Sequence, residues 1–130
     1  AIRYINEKDF EEDKDAGDIK AKFYALKIPC FLNKAASLLK LGDYAGAITD
    51  TTAVIELSEY TTDMDRAKAY FRRGSARLNA KDETEAEKDL EEAHRLNPDD
   101  AAVKRELALT RQRVLQRKQK EKAAFAKMFT

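Results

Sequence analysis

Between Ala67 and Pro98 the chain reads AKAYFRRGSARLNAKDETEAEKDLEEAHRLNP, and the spacing of its small residues restricts the fold more than any other feature. The pattern is one helix, a turn and a second helix. Tyr70, Gly74, Ala86, Ala93 and Pro98 stand where two helices of a pair must come close and where the second must stop. Small side chains are needed there because helices in such contact run with their axes only about 8–10 Å apart.

The same arrangement occurs once more upstream. KLGDYAGAITD aligns with NAKDETEAEKD, placing Ala47 opposite Ala86 and Val54 opposite Ala93, both 39 residues apart. Helix pairs with this small-residue code and a unit of about 34 residues are tetratricopeptide repeats. The polar segment SEYTTDMD, residues 58–65, is long enough to hold the excess over that period. The expected fold is therefore all-α, a tetratricopeptide helix-turn-helix array closed by a long C-terminal capping helix.

A pass along the chain divides this single domain into four parts. Residues 1–17 read as the remnant of a first repeat, with Ala1, Ile2 and Ile5 on a helix already under way, followed by a polar loop, EEDKDAGD, holding Gly17. Residues 18–60 form the second repeat. Its first stretch carries Ile19, Phe23, Leu26 and Ile28, and Pro29 is expected to kink it or to open a new helix. Residues 44–57 make its second helix, with Ala47, Ile48, Val54, Ile55 and Leu57 as the buried stripe. Residues 65–98 form the third repeat, with Asp65 as a candidate cap. In residues 99–130, Asp99 and Asp100 offer a cap and first-turn acids, and Val103, Leu107 and Val114 share the face that would cover the last repeat.

Composition fits a charged, helix-rich protein: 38% of residues are charged, with only four glycines and two prolines. No apolar run approaches the roughly 18 residues needed to span a bilayer. The one cysteine, Cys30, rules out an internal disulfide framework and suits a reducing, cytoplasmic setting. The net charge of +1 is unevenly spread. From Arg111 onward seven Lys/Arg face Glu121 alone, which leaves the preceding residues net acidic. Such a split marks a distinct end segment rather than a uniformly basic nucleic-acid binder.

Lys68 and Arg72, four residues apart, share one face of the third repeat's first helix. Like charges at this spacing cost a helix about 0.2–0.5 kcal/mol, and the plain reading is a solvated basic face. Repeat register adds a second reading. Arg72 stands two residues before Gly74, and Asn33 two before the equivalent Ala35. Asn33 and Arg72 thus occupy one position of neighbouring first helices, which line the concave side of such arrays. An amide, an ammonium and a guanidinium there suit a ligand with two carboxylates.

At Leu32-Asn33, at KAYFRRG (Lys68 to Gly74) and at the closing KEKAAFAKMF (Lys120 to Phe129), the sequence resembles the tetratricopeptide domain of the cyclophilin-40 immunophilins. The large FK506-binding immunophilins are similar in the repeats and less so at the end. The resemblance implies a co-chaperone module that holds the Met-Glu-Glu-Val-Asp carboxyl terminus of heat-shock protein 90 in a carboxylate clamp, with heat-shock protein 70 as a possible further partner. Asn33, Lys68 and Arg72 would be clamp residues, and Arg73, about 100° further round the helix, would face a neighbouring helix or solvent. Two further clamp residues of the family, a Lys and an Asn from the first repeat, have no counterpart, since AIRYINEK matches only the end of that repeat. A clamp without them is expected to bind tenfold to a thousandfold or more weakly, at about 1.5–3 kcal/mol per charged hydrogen bond. The family's prolyl-isomerase domain would precede this region; no catalytic residues are expected in the chain itself.

Other candidates are weaker. Cys30 and His94 lie in different repeats without an acidic partner, which argues against a nucleophilic dyad. Cys30 reads as a small core residue and His94 as a cation beside a helix C-terminus. No metal-ligand cluster or phosphate loop is apparent, so no cofactor is expected. The basic tail reads as a solvated helix end, or as an amphipathic basic helix that binds an acidic partner such as calmodulin with Val114, Leu115, Phe125 and Met128 as anchors. Nucleic-acid binding is disfavoured because only Phe125 and Phe129 are available for stacking. Finally, the face of Phe23, Phe31 and Leu38 would lack its cover, which predicts a homodimer or an exchange of helices in which a loop straightens into a longer helix.

Overall fold

The computed structural model describes the backbone of residues 2–130 and the side chains of residues 15–130. Five α-helices follow one another among the described residues: α1 (Ile2–Leu41), α2 (Tyr44–Glu56), α3 (Asp63–Asn79), α4 (Glu83–Leu96) and α5 (Ala101–Met128), with a 3-10 turn at Ser58–Tyr60 between α2 and α3. Each helix packs on its neighbour in sequence, and α1 also reaches α3. The result is the all-α array expected from the repeat, with α5 as its cap.

Helix α1 departs from the sequence expectation. The polar stretch EEDKDAGD is helical, not a loop, and Pro29 lies inside the helix and opens no new one. Lys and Ala around the acidic run are good helix formers, and the lone Gly17 costs only about 1 kcal/mol. Pro29 is exposed, while Ile28 and Leu32 on either side of it are buried. Packing of those two side chains against Val54 and Ala69 fixes the axis through the proline and offsets the lost backbone bond. The expected stripe of Ala1, Ile2 and Ile5 lies outside the described side chains. Cys30 is exposed, not a core residue: it falls between the buried Ile28 and Leu32, on the other side of the helix.

The two turns between paired helices have the same construction. At the end of α1, Gly42 N–H bonds to Leu39 O at 3.2 Å and Asp43 N–H to Leu38 O at 2.9 Å, with Gly42 at φ +80°. At the end of α3, Lys81 N–H bonds to Leu78 O at 3.1 Å and Asp82 N–H to Arg77 O at 2.8 Å, with Lys81 at φ +66°. Both are Schellman closures. Asp43 then caps α2 through Gly46 N–H, 3.0 Å away.

The core is built from the small residues that define the repeat. Ala35, Ala47, Ala69, Ala76, Ala86 and Ala93 are fully buried, with Val54, Leu90 and Val103 filling the space between them. Gly74 is required by the close approach of α4: a Cβ placed there would lie 2.8 Å from Leu90 Cγ. On α2 the buried residues are Ala47, Asp50, Thr51 and Val54, whereas Ile48, Ile55 and Leu57 are only half-buried. Helix α3 starts at Asp63, capped by Thr62. Asp65 serves as the returning acid of a capping box and is not the cap itself. Asp100 caps α5, and Asp99 lies just before the cap. Val103, Leu107, Thr110 and Val114 are the buried face of α5, which continues as a helix to Met128 with its last residues exposed.

Candidate functional site: a mixed-charge cleft between α3 and α5

Arg72 and Arg73 are neighbours in sequence and go opposite ways. Arg73 turns inward. Its Nε and Nη2 donate to the two carboxylate oxygens of Asp89 at 2.9 and 2.8 Å, its Nη1 donates to Thr52 Oγ1 at 3.2 Å, and its guanidinium lies 5.4 Å from the Tyr70 ring centroid. Arg77, one turn on, adds a third bond to Asp89 at 2.8 Å. This cluster joins α2, α3 and α4 and is internal structure, in line with Arg73 facing a neighbouring helix.

Arg72 turns toward α1 and the groove. Its Nη1 donates to the main-chain carbonyl of Leu32 at 2.7 Å. Half-burial, with no carboxylate partner among the described residues, holds its guanidinium below the ordinary arginine value, through loss of water around the charge. An arginine so placed still keeps its proton at neutral pH. Lys68, one turn earlier, is exposed.

Between α3 and the start of α5 lies a cleft of about 250 Å³, lined by Met64, Ala67, Lys68, Phe71, Arg72, Asn97, Asp100 and Val103. A second hollow begins on the other side of Phe71, between Ala102, Arg105, Glu106 and Leu109. Lys68 and Arg72 therefore share one concavity. Asn33 does not line it: it is exposed on α1, next to the Leu32 whose carbonyl Arg72 holds. The sequence reading takes Asp100 as a helix cap and Val103 as part of a covering face, and assigns neither of them, nor Asn97, to the site. The repeat register relates α3 only to α1, and nothing in it shows that the capping helix delivers its first turn to the same hollow.

The other candidates are scattered. His94 is half-buried near the end of α4, with no protein partner for Nδ1 among the described residues. No group of three metal-ligating side chains occurs among the described residues, and none of the helices described is long and apolar enough to cross a membrane. On α5, Leu115, Phe125, Met128 and Phe129 are exposed, with the Phe125 and Phe129 rings 4.8 Å apart.

Residues 67–100 match the family model for the tetratricopeptide repeat. The match runs from α3 through α4 to the cap of α5, the segment that supplies Lys68, Phe71, Arg72, Asn97 and Asp100 to the cleft. The fold is thus an all-α tetratricopeptide array, and repeats of this kind are protein–protein interaction modules.

Proposed function

We propose that this chain is the peptide-binding module of an immunophilin-type co-chaperone, and that the cleft takes the acidic carboxyl terminus of heat-shock protein 90. The observation that carries the reading is the convergence of Lys68 and Arg72 on one cleft whose floor, Met64, Ala67, Phe71 and Val103, is largely apolar. Two cations above such a floor fit a C-terminal residue with two carboxylates preceded by an uncharged side chain. Asn33 would add an amide from α1. Isothermal titration with acetyl-Met-Glu-Glu-Val-Asp as free acid and as C-terminal amide tests the reading: the free acid binds at least tenfold more tightly. Equal affinity for the two forms would sink it.

A second reading rests on a different surface. Ile19, Phe23 and Leu26 stand at helical spacing on α1 and are 68%, 54% and 76% exposed. Phe31, by contrast, is half-buried against the cluster of Ile28, Leu32, Val54 and Ala69, and Leu38 is half-buried as well. The uncovered part of the expected face is therefore the stripe ahead of Pro29. It suits pairing with the same stripe of a second copy. Sedimentation velocity on the wild type and on Phe23→Glu tests this, with a concentration-dependent dimer expected only for the wild type. A monomer at all concentrations would exclude it.

A further inference from the structure

Asp100 is the acidic residue in a cleft whose other charges are Lys68 and Arg72. Its Oδ1 accepts the main-chain N–H groups of Ala102 and Val103 at 2.9 and 3.4 Å. Those are the first-turn donors of α5, a 28-residue helix whose N-terminus opens onto the cleft. A helix start of that kind attracts anions through its free N–H groups and its dipole. Here the attraction is met from within the chain. The α5 wall of the cleft therefore carries a carboxylate where it would otherwise hold a second anion site facing Lys68 and Arg72.

We propose that Asp100 is a specificity-determining residue of this cleft. It blocks the α5 helix start and repels acidic side chains from that wall. The ligand then presents its terminal carboxylates to Lys68 and Arg72 on α3 and an uncharged residue to Met64, Phe71 and Val103. This rests on the peptide-binding reading above and adds the reason for one orientation. Without Asp100 the two walls would both attract carboxylates, and a peptide with adjacent acids would bind in more than one register.

The test compares acetyl-Met-Glu-Glu-Val-Asp with acetyl-Met-Glu-Glu-Glu-Asp on the wild type, Asp100→Asn and Asp100→Gly. Asn keeps the cap while removing the charge, and Gly, a tolerated cap, also frees the amides. Circular dichroism checks that helix content is retained. The wild type is expected to favour the Val peptide, and Asp100→Asn to narrow that preference about two- to fivefold by tightening the Glu peptide, an exposed-charge effect. Asp100→Gly narrows it at least as far. The gain should fade in 0.5 M salt, where the screening length falls to a few ångströms. If the wild type binds the free acid better than the amide but the Val/Glu preference is the same in both variants, the role of Asp100 is overturned and the cleft assignment stands. If the wild type does not distinguish acid from amide, both fall.

Discussion

Asp50 on α2 and Asp89 on α4 occupy the same position of successive repeats, and only Asp89 is fully paired. Asp89 takes two bonds from Arg73 and one from Arg77, with 4% of its side chain exposed. Asp50 is nearly as buried, at 9% of its side chain, but its ion-pair partner is Lys34 at 3.6 Å, and no protein donor within hydrogen-bonding range reaches its Oδ2 among the described residues. The register explains the difference. Lys34 stands where the other repeat has Arg73, and Leu38 where it has Arg77. A flexible point charge and an alkyl group replace two planar forks, so one carboxylate has three charged bonds and the other a long contact.

Removing Asp89 should therefore be severe. Asp89→Ala strands two guanidinium groups in a largely buried site, and breaking such a cluster costs about 3–5 kcal/mol. Urea unfolding followed by far-UV circular dichroism is expected to show a lower midpoint. Asp50→Ala should cost clearly less, because Lys34 is 65% exposed and returns readily to water. Leu38→Arg supplies the missing fork and is expected to stabilise by up to about 1 kcal/mol. That gain should disappear in an Asp50→Asn background, which ties it to the carboxylate.

The close approach of α3 to α4 at Gly74 makes a sharper case. A methyl group at Gly74 would meet Leu90 Cγ at 2.8 Å and Asp89 Cβ at 3.3 Å. Alanine favours a helix over glycine by about 1 kcal/mol, so an unhindered site would gain from the change. Here Leu90 is fully buried and has nowhere to go. Gly74→Ala is expected to destabilise by about 1–3 kcal/mol, the usual range for overpacking. Leu90→Ala in the same chain should recover part of that loss relative to Leu90→Ala alone, read as a positive coupling in urea midpoints.

How much of this could be read beforehand depends on whether a feature is local or relational. The small residues at Gly74, Ala86 and Ala93 announce helix contacts because a larger side chain would not fit, and the structure buries all three. The angle of Arg73 on the helix separates it from Arg72 but leaves a neighbouring helix and solvent both open, and its bonds to Asp89 decide for the helix. The continuity of α1 does not follow: an acidic stretch with one glycine satisfies a loop and a solvated helix equally, and packing around Ile28 and Leu32 carries the helix past Pro29. Cysteine is often buried, but the angle of Cys30 between the buried Ile28 and Leu32 puts it outside. The cleft itself was half legible. Lys68 and Arg72 share a face by spacing, but Asp100 reaches that face only through the docking angle of α5.

Lys81 holds a backbone conformation that suits glycine. It has φ +66° at the position where the preceding turn uses Gly42 at φ +80°. The left-handed region costs a residue with a Cβ about 1–2 kcal/mol, and part of that is returned by the lower entropy of its unfolded chain. Lys81→Gly is expected to raise stability by about 0.5–1 kcal/mol. Gly42→Ala, the reverse experiment on the equivalent turn, should lower it by a similar amount although open space surrounds the new methyl. Thermal melts of the two variants check the pair, and the opposite signs separate backbone strain from packing.

Lys68 and Arg72 should be separable by what each does in the empty protein. Lys68 is exposed, so Lys68→Ala is expected to leave the urea midpoint unchanged within about 0.5 kcal/mol. Arg72 ties α3 to α1 through the Leu32 carbonyl at 2.7 Å. Arg72→Ala should cost about 1.5–3 kcal/mol of stability as well as a ligand contact, since a charge-assisted hydrogen bond is lost. Arg72→Lys can keep the charge but not the fork that spans carbonyl and ligand together, so it should recover affinity only in part. Under the clamp reading, Lys68→Ala and Arg72→Ala each weaken free-acid peptide binding about tenfold or more, while binding of the amide, already weak, changes little. A Lys68→Ala variant with unchanged stability and unchanged preference for the free acid would remove the ammonium from the site. The reading would then rest on Arg72 alone, which a stability loss of its own cannot mimic, because the amide control moves with folding and not with the terminal charge.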